Sequence, residues 1–114
     1  MKWFWALLGV CSFVFVTVAG AAENGMEEVR ALGHLNGQAL ACSQKENVSR
    51  IKAVMISYAP KTRRYGAAFE ESTQQAFLLR SAEQQACDDA PVIALKVDVL
   101  ATRLQEMYPP RAQQ

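Results

Sequence analysis

The sequence predicts an all-α domain, a small three- to four-helix bundle stapled by one disulfide, which follows a cleavable N-terminal signal peptide. Three observations predict it. Apolar residues recur at helical spacing in four segments, the first residues have the order of a secretory signal, and two cysteines remain once that signal is removed. Neither Asn-Gly pair lies between alternating apolar runs, so no β-hairpin is expected.

The first 21 residues are predicted to be a signal peptide. Lys2 precedes an uncharged apolar run over residues 3–18, and Ala19 and Ala21 form an Ala-x-Ala cleavage site. The alternative is an uncleaved anchor, but about 16 apolar residues fall short of the roughly 20 that span a bilayer. We therefore expect export to the periplasm or the medium, no stable membrane anchor after processing, a helical domain over 22–108 and a flexible tail over 109–114.

The composition is that of a single small globular domain. The 114 residues include 12 Lys+Arg and 11 Asp+Glu, and removal of Lys2 with the leader makes the two counts equal. A balanced charge excludes a bulk electrostatic binder of nucleic acid. The partner expected from composition is therefore not a nucleic acid.

Cys42 and Cys87 are predicted to form a disulfide. Cys11 lies in the leader, and an exported protein reaches an oxidising compartment, where paired cysteines favour a bridge. Closing a 45-residue loop stabilises the domain by about 4 kcal/mol on the chain-entropy estimate. The alternative is a metal or redox pair, but Cys-x-x-Cys is absent and His34 is the only histidine, so no metal site is expected.

The first predicted helix covers residues 26–43. Gly33 and Gly37 weaken it by about 1 kcal/mol each relative to alanine. They either permit close approach of a neighbouring helix or are simply tolerated, and the polar Asn36 falls on the apolar side. The apolar stripe comprises Val29, Leu32, Leu35, Ala39, Leu40 and Cys42.

The second predicted helix ends near Tyr58, before Pro60. The Ser-x-x-Glu pattern from Ser43 to Glu46 predicts a capping box at its start, with Asn47 as the other candidate cap. Its stripe comprises Val48, Ile51, Val54, Met55 and Tyr58.

The third and fourth predicted helices cover residues 61–86 and 92–108. The loop between them contains Asp88, Asp89 and Pro91, which are typical of a helix start. Residues 95–99 also alternate as a strand would, but the length of the stripe favours a helix. The third stripe comprises Tyr65, Phe69, Ala76 and Leu79, widened by Phe77 and Leu78; the fourth comprises Ile93, Val97, Leu100, Leu104 and Met107.

No catalytic constellation is found in the sequence. His34 lies on the polar arc of the first helix, outside any motif. Adjacent carboxylates such as Glu70 and Glu71 point about 100° apart on a helix, so they do not converge on one substrate atom. Phosphate-binding, nucleophile-elbow and metalloprotease motifs are absent. We expect no enzyme activity, no catalytic residues and no cofactor.

The basic residues are concentrated in one part of the chain. Residues 45–64 contain six Lys or Arg and one acid. Lys61, Arg63, Arg64 and Tyr65 combine three cations and an aromatic ring at a helix junction, and Arg and Tyr are enriched at interface hot spots. One interpretation is a contact with an acidic partner protein; the other is a solvated turn whose cations pair with the acids of the same chain.

The overall plan resembles that of the periplasmic acid-stress chaperones of the HdeA type. The shared features are export, about 90 residues after processing, helices, one long-range disulfide, and Gln84-Gln85-Ala86-Cys87 before the last helix. The chain departs from that family around Cys42, where it lacks a Trp-Thr-Cys-like segment. The resemblance implies a chaperone, although helical immunity proteins of toxin systems share the same plan.

The function predicted from the sequence is protein binding, as a chaperone, an inhibitor or immunity factor, or an accessory factor of the envelope. One alternative is a carrier of a small apolar ligand in a pocket lined by Tyr58, Tyr65, Phe69 and Phe77. An enzyme is the third class.

Overall fold

The fold is all-α, as the sequence predicts. The computed structural model describes residues 24–83 and 87–108, and the predicted signal peptide and tail lie outside them. The described residues contain no strand and form four helices: α1 (Met26–Ala41), α2 (Lys45–Tyr58), α3 (Arg63–Glu83) and α4 (Ala90–Met107). Each helix lies within two or three residues of its predicted bounds where these are described; residues 84–86, the predicted end of the third helix, lie outside the described residues.

Helix α1 is the central element of the bundle. Helices α2 and α4 pack on one side of it and run antiparallel to it, while α3 packs on α1 in a parallel direction. The main core lies between α1, α2 and α4. Its buried residues are Leu32, Leu35, Ile51, Val54, Ile93, Val97, Leu100 and Leu104.

A second, smaller core lies where α1 and α3 begin. Tyr65 is buried there, and its hydroxyl donates to the carbonyl oxygen of Asn24 at 2.8 Å. The hydroxyl of Tyr108, at the end of α4, donates to the same oxygen and lies 3.5 Å from that of Tyr65. The pKa of Tyr108 is raised to about 12. The largest cause is desolvation by burial, followed by the hydrogen bond to Tyr65 and the charge of Tyr65. The other buried residues of this core are Met26, Val29, Ala59 and Ala68.

Two glycines let α1 and α3 approach backbone to backbone. A Cβ on Gly33 would lie 2.5 Å from the carbonyl oxygen of Phe69 and 2.7 Å from Cβ of Ser72. A Cβ on Gly37 would lie 2.7 Å from Cβ of Ala76 and closer still to a carbonyl oxygen of α3. No side chain fits at either position, so the glycines serve the close approach and are not merely tolerated.

The predicted capping box at Ser43 is wrong. Ser43 adopts a left-handed conformation, with φ of 56°, and ends α1 instead of starting α2. Its N–H donates to the carbonyl of Leu40 at 3.3 Å, and the next N–H, of Gln44, donates to that of Ala39 at 2.8 Å. These two bonds are the Schellman motif, which satisfies carbonyls at the end of a helix. Gln44 is the N-cap of α2, and no side chain caps it.

The predicted stripes are wrong at three leucines and at Phe77. Leu78 and Leu79 are exposed, because α3 packs mainly on α1 and no other described helix covers its outer face. Phe77 of α3 and Leu40 of α1 are exposed as well. The stripe of α4 is confirmed from Ile93 to Leu104, whereas Met107 is exposed. The bundle therefore leaves more apolar surface in solvent than helical periodicity predicts.

Candidate functional site

An apolar groove of about 540 Å³ lies between α2 and α3, with α1 as its floor. Leu40 contributes to the floor, Lys52 to the α2 wall, and Phe69 and Phe77 to the α3 wall. The groove exists because α2 and α3 both pack on α1 but scarcely on each other. We refer to it as the α2–α3 groove.

Asn36 lies at the floor of this groove with one atom unpaired. Its side chain is 4% exposed, and its Nδ2 donates to Oγ1 of Thr73 at 3.3 Å. Thr73 in turn donates to the carbonyl oxygen of Phe69 at 2.8 Å. The carboxamide oxygen of Asn36 is buried and has no hydrogen-bond partner, which costs free energy unless a donor reaches it.

The four residues of the predicted basic contact have different environments in the structure. Tyr65 is 7% exposed and belongs to the second core, so its ring does not form part of the surface. Lys61 donates to the carbonyl oxygens of Met55, at 3.2 Å, and Ile56, and so satisfies the end of α2. Arg63 and Arg64 are exposed at the start of α3. The turn therefore presents two arginines, while its lysine serves the fold.

The basic turn lies beyond one end of the α2–α3 groove. Lys52 lies six residues before the end of α2, and Phe69 lies six residues after the start of α3. At 1.5 Å per residue, both are about 9 Å along their helices from the turn. Arg63, seven residues before Glu70, is therefore on the groove side of α3, whereas Arg64 is turned about 100° further round the helix.

Two ion pairs join charged side chains on the surface of the described bundle, and one of them involves the basic segment. Arg50 pairs with Asp98 at 3.2 Å, and Lys96 pairs with Asp88 at 3.4 Å. All four side chains are about half exposed, so each pair contributes little, about 0–1 kcal/mol. Arg50 thus pairs with an acid of its own chain, but it lies outside the turn of Lys61, Arg63 and Arg64 to which the interpretation of a solvated turn refers.

The predicted disulfide between Cys42 and Cys87 is present, with 6.0 Å between the Cα atoms. It joins the end of α1 to the loop before α4. Two side chains hold the same loop: Gln44 donates to the carbonyl oxygen of Asp88 at 2.8 Å, and the buried Asn47 donates to that of Ala90 at 3.1 Å. Asn47 was a candidate cap from its sequence position, and its actual role is this bridge between helices.

The other sequence-derived candidates are scattered over the structure. His34 is exposed on α1, where it contacts Gln38 at 3.1 Å. In residues 24–83 and 87–108, no three His, Cys, Asp or Glu side chains come together as a metal site would require. Of the four aromatic residues proposed for a ligand pocket, Tyr58 and Tyr65 pack in the cores, and only Phe69 and Phe77 line a groove.

No protein-family model matches this chain, and neither does any curated protein or solved structure. Within the part of the chain that the structure describes, none of the helices has the length and apolar character to cross a membrane. Interpretation of the α2–α3 groove therefore depends on its own geometry.

Proposed function

We propose that this protein is exported and acts by binding another protein, whose apolar side chains enter the α2–α3 groove. The observation that carries the proposal is the groove itself. Phe69 and Phe77 line it beside Leu40, and Phe77 is 39% exposed. Grouped apolar side chains at the surface of a small domain favour a binding role, since covering them removes apolar area from water.

The charges around the groove favour a partner with carboxylates beside its apolar residues. Lys52 lies on one wall, and Arg63 lies on the groove side of α3 near its start with Arg64 next to it, against a single acid, Glu70, in the lining. Complementary charge of this kind steers association and fixes orientation more than it adds affinity.

The test is capture from envelope extract with the processed chain immobilised and its disulfide intact. Phe77→Asp should abolish capture of the proteins that the native chain retains, because it places a charge in the groove. Leu79→Asp is the matched control, since Leu79 is 54% exposed on the same helix and does not line the groove. Circular dichroism confirms that both variants fold.

Charge reversal at Arg63 and Arg64 tests the second part of the proposal. It should weaken the same captured complex and make it less sensitive to salt. Capture that is equal for the native chain, the Phe77→Asp variant and the charge-reversed variant would exclude this groove as the binding site.

Three further measurements separate the forms that this function can take. A chaperone of acid stress should lose its near-UV circular dichroism and bind an apolar dye near pH 2–3, because protonated carboxylates leave eleven basic residues unbalanced. An immunity factor should form a tight stoichiometric complex with a toxin encoded beside it. A ligand carrier should retain a small molecule in native mass spectrometry.

A further inference from the structure

The outer side of α4 carries a second apolar stripe. Val92, Leu95 and Val99 are spaced three and four residues apart, on the side opposite the buried stripe from Ile93 to Leu104. All three are exposed, and Leu95 is 66% exposed. A helix with apolar stripes on two sides buries one in its own core and leaves the other for a partner.

This second stripe has the form of a coiled-coil seam. Val92 and Val99 occupy heptad positions a and Leu95 occupies position d, and a β-branched residue at position a with leucine at position d favours a parallel two-stranded pair. Asp98 then falls at position g and Arg103 at position e, on opposite sides of the stripe. In a parallel pair the residue at position g faces the residue at position e, five residues later, on the partner helix, so Asp98 would face the Arg103 of a second copy.

From this arrangement we propose that the protein forms a parallel two-fold dimer through the outer face of α4. The stripe is complementary to itself in charge as well as in apolar pattern. Asp98 is 59% exposed although Arg50 contacts its Oδ1, so its other oxygen can accept from a second cation. Arg103 is exposed and has no ion-pair partner among the described residues.

The residues around the seam are compatible with burial against a second copy. Thr102, at the next position d, donates to the carbonyl of Asp98 at 3.0 Å, so covering its hydroxyl leaves no unpaired donor. Val99 also lines a groove of about 510 Å³ against α1, which gives the partner helix room on that flank. Glu106, at the next position a, ends the seam, because two copies would place like charges together.

A seam of four positions predicts a weak dimer, with a dissociation constant between about 1 µM and 1 mM. Sedimentation equilibrium of the oxidised, processed protein should show the mass rising towards twice the monomer across this range. Leu95→Lys should weaken association at least about tenfold, because it buries a charge at the centre of the seam. Ile56→Lys is the matched control: Ile56 is 68% exposed, but on α2, and its replacement should leave the mass profile unchanged.

Two further variants test the arrangement. Arg103→Asp should weaken the dimer about tenfold by facing Asp98 of the partner, and adding Asp98→Arg in the same chain should restore it. Glu106→Leu should tighten the dimer about tenfold by extending the seam, a gain that misfolding does not produce. A monomer at 1 mM, or a dimer that is insensitive to Leu95→Lys and Arg103→Asp, would overturn the proposal. These experiments use the isolated protein, so their result is independent of capture by the α2–α3 groove.

Discussion

Replacing Gly37 with alanine should destabilise the protein, although the same change normally stabilises a helix. Gly37 lies in the middle of α1, where a Cβ would come within 2.7 Å of both Cβ of Ala76 and the backbone nitrogen of Phe77. It would come closer still to the carbonyl oxygen of Thr73. Two of these three atoms belong to the backbone of α3, so rotation of a side chain cannot relieve the contact.

The expected size follows from two opposing effects. Alanine is favoured over glycine in a helix interior by about 1 kcal/mol. Overpacking typically costs about 1–3 kcal/mol, and a contact with backbone belongs at the upper end because α1 and α3 must move apart. We expect a net loss of about 2 kcal/mol in the free energy of unfolding. For a domain of this size, that lowers the melting temperature by roughly 8–16 °C.

The assay is urea denaturation of the oxidised protein, followed by circular dichroism. Gly66→Ala is the matched control, because Gly66 also lies in a helix but a Cβ there would meet nothing within 4 Å. The free energy of unfolding of that variant should be about 1 kcal/mol higher than that of the native protein. The free energies of unfolding of the two alanine variants should therefore lie on opposite sides of the native value, about 3 kcal/mol apart.

A Gly37→Ala variant as stable as Gly66→Ala would refute the reasoning. It would mean that α1 and α3 separate at no cost, so that their close contact does not contribute to the stability of the bundle. Gly33→Ala offers an independent repeat, since its Cβ would meet the carbonyl oxygen of Phe69 at 2.5 Å.

Three other changes have defined outcomes. Ser43→Gly should raise the free energy of unfolding by about 0.5–1 kcal/mol in urea denaturation, because serine is strained at φ of 56° and glycine is not. Replacing Cys42 and Cys87 with serine should lower it by about 4 kcal/mol in the same assay, the loop-closure contribution for 45 residues. Because the pKa of Tyr108 is raised to about 12, the native state favours its neutral form, and the stability from this group is present below pH 10 and lost as pH rises towards 12. Tyr108→Phe should reduce that alkaline loss in thermal unfolding followed between pH 9 and 12, and an unchanged profile would count against it.

Much of the fold could be predicted because its signals are local. Helix bounds follow from apolar spacing and from Pro60 and Pro91, which act within one turn of their own position. The disulfide could be predicted because Cys42 and Cys87 are the two cysteines outside the predicted leader. The burial of Ile93 and Leu104 follows from the spacing of the α4 stripe alone.

The features that could not be predicted from the sequence depend on contacts between helices. The Ser-x-x-Glu pattern at Ser43 suits a capping box, but the φ of that residue is set by how α2 leaves α1, which the pattern does not contain. Tyr65 fitted both the apolar stripe of the third helix and the basic surface cluster. Tyr65 is buried, as its place in the stripe predicts. Exposure of Leu78 and Leu79 could not be predicted, because spacing identifies an apolar face but not whether another helix covers it.

The same two glycines account for the firm attachment of α3 and for the surface proposed to bind a partner. Backbone contact at Gly33 and Gly37 excludes large side chains from the centre of the α1–α3 interface, so Phe69 and Phe77 are displaced to its edge. The part of the interface around the two glycines buries little apolar area, so α3 depends there on close packing, and Cys87, which follows α3, ties the chain to the end of α1. A bundle built on leucine contacts at these positions would bury its aromatic residues in the core, and the α2–α3 groove would lack its apolar lining.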